Sequence, residues 1–387
     1  MHSPLDWIDD ELAALEREGL RRQRREVTSL IDGRCRIDGR EILNFSANDY
    51  LNLAHDPRLI EAARAVLDQA GTGASASALI SGRTPWHVAL EDRLARFEGQ
   101  QAAVLFPTGF AANVGTICAL AGSDDTIFSD RLNHASLIDG CRLSRARVHI
   151  FRHDDLGGLE DKLKNNRATG RRLIVTDSVF SMDGDLAPLS ELCALTERFD
   201  AMLIVDEAHA TGVFGDGGRG VAQLQGVEHR VTVRTGTLSK AVGTLGGFVT
   251  GPPAVVNWLW NKARTQMFST ALPPALCAAA TAAIDIIEAE PARRNDLLRL
   301  AATFRQQLTA AGIETLQDAT GPIVPILLKT PDRALRGARQ LEQEGFLVAA
   351  IRPPTVPQGT SRLRITLCSG HQLQDVERLV AALKTVI

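Results

Sequence analysis

Lys240 sits in TVRTGTLSKAVGTLGG, Thr232 to Gly247, and no other lysine occurs between Lys164 and Lys262. Small residues flank it, and the β-branched Val231 and Val233 lead in. An amine held in a crowded turn beyond a buried strand is partly desolvated, which lowers its pKa and makes it a nucleophile for a carbonyl. A Ser-Lys pair beside glycines is also an ordinary solvated turn, so the case depends on what converges with it. Asp206 ends the apolar run AMLIVD, which puts a carboxylate at a sheet edge where it needs a cationic partner. A protonated pyridine nitrogen is one such partner, and holding that proton makes the ring an electron sink; a helix cap is the plainer reading. His209, three residues on, could hydrogen-bond the ring's phenolic oxygen or be a satisfied core histidine. His134, in NHASLIDG, could stack on the ring or be an exposed loop residue. Thr108-Gly109-Phe110 precede a helix expected from about Ala111, and free amides at a helix start bind phosphate, although the same residues make an ordinary cap. Ser181, Thr237 and Ser239 add hydroxyls at strand ends.

These residues need elements that bring them to one edge. RRLIVTDSVF, AMLIVDEAH and RVTVRTGTLSK each place an apolar run before polar residues, and Thr176, Asp206 and Thr235 are spaced for a crossover helix each time. Such runs predict a mainly parallel sheet covered on both faces, with ligands beyond the carboxyl ends of the strands. Upstream, the pattern predicts an amphipathic helix over 6–18, then Arg21, Arg22, Arg24 and Arg25 as a solvated face or an anion-attracting arm. A hairpin follows around Asp38-Gly39, within Arg36 to Phe45, then helices over Pro57–Gln69 and Trp86–Phe97. Between these helices GTGASASALISG is too rich in Gly, Ala and Ser for a regular strand and reads as a loop whose backbone approaches something closely. After residue 285 the texture changes to a helix reaching about Ala311, strands at 323–328, FLVAAI and SRLRITL, and helices over 333–344 and 372–384. The division expected is 1–45 as an N-terminal helix and hairpin, 46–285 as the large domain, and 286–387 as a small α/β domain.

Composition bounds the function. The 387 residues are 44% hydrophobic and 23% charged, with 43 basic against 46 acidic side chains, so no global pull toward nucleic acid or anionic membrane is expected. Six scattered cysteines (Cys35, Cys118, Cys141, Cys193, Cys277 and Cys368) form no CxxC pair, which suggests neither a zinc site nor a disulfide framework and suits a reducing cytoplasm. The acidic start MHSPLDWIDDELAALEREG lacks the layout of a secretory signal. The longest apolar candidate, Ala271 to Ile287, is interrupted by Pro273, Pro274 and Asp285, too broken to span a bilayer.

GFAAN, NHASLIDG, VFSMDGD, VDEAHATGVFG and GTLSKAVG, in this order, resemble the α-oxoamine synthases, pyridoxal-phosphate (PLP) enzymes of fold-type I. The resemblance runs from Asn44 to Leu379, and AIRPPTVPQGTSRLRITL is most similar to the biotin-pathway branch. It implies a large, mainly parallel sheet domain with a smaller C-terminal α/β domain, a homodimer, and condensation of L-alanine with a pimeloyl thioester of coenzyme A or a carrier protein. It also implies roles. Lys240 matches the Schiff-base lysine, Asp206 the partner of the pyridine nitrogen, and His134 the stacking histidine. Gly109 and Phe110 match the phosphate turn, and Ser181, His209 and Thr237 further cofactor contacts. Arg21, Arg352 and Thr355 match substrate contacts, Arg352 for the amino-acid carboxylate with Asn48 assisting. Ser269-Thr270 match a segment reaching the neighbouring subunit's phosphate. Departures fall at Ala76, Ala78, Asn52 and Asp177, the last where a glutamate is common. Glycine- or serine-using relatives, and a non-catalytic binding module of the same fold, remain the alternatives.

Overall fold

The computed structural model describes residues 4–316 and 318–387; Met1–Ser3 of the acidic start and Gln317 lie outside it. It divides into two compact units: the described residues up to Ala47 with Met182–Gly184 and Leu297–Ile387, and Asn48–Ser181 with Asp185–Asp296.

In the first unit, the helix Asp6–Arg17 precedes β1 (Thr28–Ser29), β2 (Arg34–Ile37) and β3 (Arg40–Asn44). Asp38 and Gly39 both have positive φ, 50° and 76°, the geometry of the two-residue turn expected there. No residue of the first helix is buried, and Trp7, Ile8 and Leu15 face outward.

The second unit carries β4 (Ala102–Phe106), β5 (Thr126–Asp130), β6 (Arg147–Phe151), β7 (Arg172–Asp177), β8 (Ala201–Asp206), β9 (Val233–Thr237) and β10 (Gly247–Gly251) in the order β4-β10-β9-β8-β7-β5-β6. Pairs among β5 to β9 are parallel; β10 runs antiparallel to both its neighbours. The helices Gly109–Leu120, Ala135–Leu143, Leu156–Asn165 and Leu189–Phe199 follow β4, β5, β6 and β7. Val104, Ile127, Leu173, Val175, Ile204 and Val233 pack with Ile117, Leu120 and Leu137 into one buried cluster. Each such side chain contributes roughly 1.5–3 kcal/mol on burial, so the strands are fixed from within and their polar ends inherit that rigidity. Register completes the placement: Asp177 lies opposite Asp206, and Asp206 opposite Thr235.

Two expectations need correction. GTGASASALISG is not wholly irregular, since Ala78–Gly82 forms a π-helical turn and Ser77 bridges to Thr270. FLVAAI is two strands rather than one. In the first unit, β11 (Ile323–Lys329) precedes β12 (Phe346–Leu347), which runs parallel to β3, whereas β13 (Ala349–Ile351) pairs antiparallel with β14 (Ser361–Thr366). The chain changes sheets at buried Val348. A uniformly apolar run carries no periodicity that could mark the break.

Candidate active site

A cavity of about 220 Å³ opens beyond the carboxyl ends of β7, β8 and β9. Lys240 enters it from the turn after β9. That turn is closed by Gly243 N–H donating to the Lys240 carbonyl (2.9 Å) and Thr244 N–H to the Leu238 carbonyl (2.8 Å). Gly243 has φ +74°, and a Cβ there would lie 2.6 Å from the Ala54 nitrogen. A Cβ on Gly247 would lie 2.3 Å from the Thr108 carbonyl oxygen and 2.6 Å from the Gly109 nitrogen. The glycines after Lys240 therefore let the returning strand press against the Thr108–Gly109 turn.

That turn starts the helix Gly109–Leu120, whose cap is Thr108, its Oγ1 accepting from Ala111 N–H at 3.0 Å. The helix begins two residues before the expected Ala111, so Gly109 and Phe110 belong to its first turn, where backbone amides have no helical acceptor. Thr237 adjoins them. Its Oγ1 donates to the Gly246 carbonyl (3.0 Å) and shares a hydrogen bond with Ser239 Oγ (2.8 Å).

Asp206 is buried, and both carboxylate oxygens are held: Asn113 Nδ2 donates to Oδ2 at 2.6 Å and Ala208 N–H to Oδ1 at 2.8 Å. Asn113 is fixed in turn, its Oδ1 accepting from Thr235 Oγ1 at 2.6 Å. Asp177, also in the wall, accepts from His134 N–H at 2.6 Å. Burial, and then the Asp206 charge, push its carboxyl well above the usual range.

His134 is the cap of the helix Ala135–Leu143 rather than a free loop residue. Its Nδ1 accepts from Ser136 N–H at 3.3 Å, which leaves the proton of the neutral ring on Nε2. Burial holds its pKa below the ordinary value, opposed by Asp206 and aided by Lys240. The ring meets Phe110 edge-on, with centroids 6.4 Å apart. His209 Nδ1 lies 2.6 Å from Tyr50 Oη, and Tyr50 is fully buried.

Lys240, Asp206, His134, His209, Gly109, Phe110 and Thr237 thus share one cavity. A model of the aminotransferase class I and II family matches residues 40–383. The chain belongs to this family. Within it, the 8-amino-7-oxononanoate synthase of Anaeromyxobacter dehalogenans (strain 2CP-1) is 47% identical over 383 residues, covering 99% of this chain and 96% of that protein. The same-named protein of Geobacter sulfurreducens is 48% identical, covering 98% and 97%. Among solved structures, serine palmitoyltransferase from S. paucimobilis superposes with a TM-score of 0.94 at 30% identity, covering 100% of this chain and 98% of that one. The 8-amino-7-oxononanoate synthase of Francisella tularensis gives 0.76 at 29%, covering 89% and 97%. The fold-type I architecture and the resemblance read in the five motifs both hold for this family member.

The remaining residues fall elsewhere. Ser181 is half-buried and is not in the cavity wall. Thr270 and Ser269 line a separate cavity with Ile80 and Phe268. Asn48 belongs to the second unit, where its carbonyl accepts from Tyr50 N–H at 2.8 Å. Arg21, Arg352 and Thr355 gather in the first unit. Arg352 Nη2 donates to the Arg21 carbonyl (2.9 Å), and Arg22 Nη2 to Thr355 Oγ1 (3.1 Å). Arg352 is buried, which with Arg22 and Arg339 nearby holds its guanidinium below the ordinary value. Arg25 pairs with Glu342 through two bonds of 2.7 and 2.6 Å, so at that point the basic arm is fastened to the body of its unit.

Sequence reasoning missed Asn113 and Tyr50. Asn113 lies inside GFAAN and Tyr50 close to Asn48 and Asn52, but hydrogen-bond partners distant in the chain leave no mark on local spacing.

Proposed function

We propose that this chain condenses L-alanine with a pimeloyl thioester, releasing 8-amino-7-oxononanoate, carbon dioxide and the free thiol, with pyridoxal phosphate as cofactor. The observation that carries the reading is the pairing of Lys240 with a buried Asp206, clamped by Asn113 and Ala208, in one cavity beside a helix start. That donor set fits the cofactor: an amine for its carbonyl, a carboxylate for its ring nitrogen, and free amides for its phosphate. Bound there, pyridoxal phosphate supplies an electron-withdrawing ring that stabilises negative charge at the amino acid α-carbon.

The chain's residues do the rest. Lys240 would hold the cofactor through its amine, and the same Nζ would take the α-proton of alanine as general base. Asp206 keeps the ring nitrogen protonated. Asn113 and Ala208 hold its carboxylate in place for that task. His134, in the cavity wall, would face the ring, with Nε2–H able to polarise the thioester carbonyl. With the Tyr50 hydroxyl as donor to Nδ1 of His209, Nε2 would be left to donate to the cofactor's phenolic oxygen. Gly109 and Phe110 offer amides to the phosphate, and Thr237 and Ser181 add contacts. Arg352 takes the alanine carboxylate through two parallel bonds until carbon dioxide leaves, with Asn48, Arg21 and Thr355 at the substrate. Either coenzyme A or a carrier protein suits Arg21, Arg22 and Arg24 as the acyl carrier.

The active form in this reading is a homodimer in which Thr270 serves the neighbouring subunit's phosphate. Support comes from its placement outside the Lys240 cavity, beside exposed Ile80 and Phe268, which a second copy would cover. Assays of alanine, glycine and serine against pimeloyl-CoA, acetyl-CoA and palmitoyl-CoA test the whole. Alanine with pimeloyl-CoA should give the highest kcat/KM. Faster turnover of glycine with acetyl-CoA, or of serine with palmitoyl-CoA, would overturn the substrate assignment.

A further inference from the structure

The strand ends around the cavity are tied by a cluster the reaction does not use. His153 follows β6 at the carboxyl edge of the sheet, and its ring lies between two carboxylates. Nδ1 is 3.0 Å from Asp130 Oδ2 and Nε2 is 2.7 Å from Asp185 Oδ2. Asp154, largely exposed, stands 3.4 Å from Nε2. All three members of the central bridge are shielded, with side chains 15%, 6% and 12% exposed for His153, Asp130 and Asp185. The ring also packs edge-on against Phe180, with centroids 4.3 Å apart.

One carboxylate belongs to the turn that carries His134 into the cavity wall, the other to the turn that carries Ser181, a cofactor contact in the proposed reading. Asp130 ends β5, and its other oxygen accepts from Leu132 N–H at 2.8 Å, shaping the turn that delivers Asn133 and His134. The Asp185 carbonyl accepts from Phe180 N–H at 3.1 Å, closing the turn that contains Ser181. We infer that His153 is a positioning residue for the cofactor site: its ring bridges Asp130 to Asp185 and so holds the turn carrying His134 in register with the turn carrying Ser181. A neutral imidazole has one N–H and could satisfy one carboxylate; the imidazolium satisfies both. The surroundings favour that form. Burial opposes the charge, but the hydrogen bonds that His153 donates to Asp130 and Asp185, together with their charges, outweigh it and push the His153 pKa up to about 10. At a separation of 2.7 Å the Nε2–carboxylate pair is a direct charge-assisted hydrogen bond.

The inference rests on the reading of the cavity as a pyridoxal-phosphate site. Its test is His153→Gln, with pyridoxal phosphate titrated into the apoprotein and followed by absorbance, alongside kcat, KM for alanine and the melting temperature of the apoprotein. We expect cofactor affinity to fall about tenfold, the scale of one charged hydrogen bond, and kcat to fall more than KM rises. Adding Asp130→Asn to His153→Gln should recover part of the affinity, because it removes a carboxylate left facing another. In the wild type the affinity should weaken near pH 10, as Asp130, Asp154 and Asp185 lose their shared cation, and this inflection should be absent from His153→Gln. A lowered apoprotein melting temperature with wild-type cofactor affinity and kcat would overturn the inference, since packing alone would produce it. Should His153→Gln not fold, Asp185→Asn removes one charge at constant shape, and unchanged cofactor affinity there would be equally decisive. Failure of the wild-type protein to bind pyridoxal phosphate would instead sink the functional reading itself.

Discussion

In the proposed mechanism Lys240 holds two roles at one atom, anchor and base, and a substitution there separates binding from turnover. Lys240→Ala should still take up pyridoxal phosphate through Asp206, His209 and the Gly109 turn, yet lose turnover by about 10²–10⁴-fold, the usual reach of a positioned general base. Steady-state kinetics beside a cofactor titration measure both, and near-wild-type kcat would refute the role. At this scale much of the site is legible in the sequence. Asp206 and Thr237 stand where apolar β-branched runs turn polar, Lys240 and His209 follow them within three residues, and strand ends in a parallel sheet converge. The partners are not legible. Asn113 reaches Asp206 across 93 positions and Tyr50 reaches His209 across 159, and no local pattern encodes a meeting over that distance.

At the level of elements, the Thr108–Gly109 turn, the proposed phosphate site, depends on how closely β10 approaches it. Gly247→Ala would put a methyl group 2.3 Å from the Thr108 carbonyl oxygen. The obstacle is backbone on both sides, so the first turn of the helix Gly109–Leu120 must shift. Overpacking of this kind costs about 1–3 kcal/mol. The expected result is weaker cofactor binding together with a lower melting temperature, read by titration and thermal denaturation; an unchanged affinity would show that the amides do not depend on this contact. The sequence shows glycines after Lys240 but not which of them meets what. Helices were easier to read: Pro57 stands at the first position of its helix and marks the start directly, and the next helix begins at Pro85, one residue before the expected Trp86. The break within FLVAAI was hidden because both halves are apolar.

For the molecule as a whole, two histidines set stability limits of opposite sign. His371, stacked on Phe45 at 4.0 Å, is pushed down to about 4 by burial, against an ordinary 6.5. Between those values the unfolded chain binds the proton and the native one does not, so stability is lost as pH falls from 6.5 toward 4. His153 is raised to about 10. Its contribution is complete below 6.5 and is lost as pH rises through 10. Melting temperatures measured from pH 4 to 10 should fall at both ends, with His371→Gln flattening the acid limb and His153→Gln the alkaline one. Limbs that stay parallel to the wild type in both variants would assign the losses to other groups. None of this was visible beforehand, since a histidine's pKa depends on neighbours that only the fold supplies.

Tyr50 is the one tyrosine in the chain, and its hydroxyl is bonded to His209 in the cavity wall. Replacing tyrosine biosynthetically with a fluorinated analogue therefore gives a single ¹⁹F resonance without any engineered label. Its chemical shift would follow cofactor loading and substrate binding, in the native sequence and from a buried position one hydrogen bond behind the cavity wall.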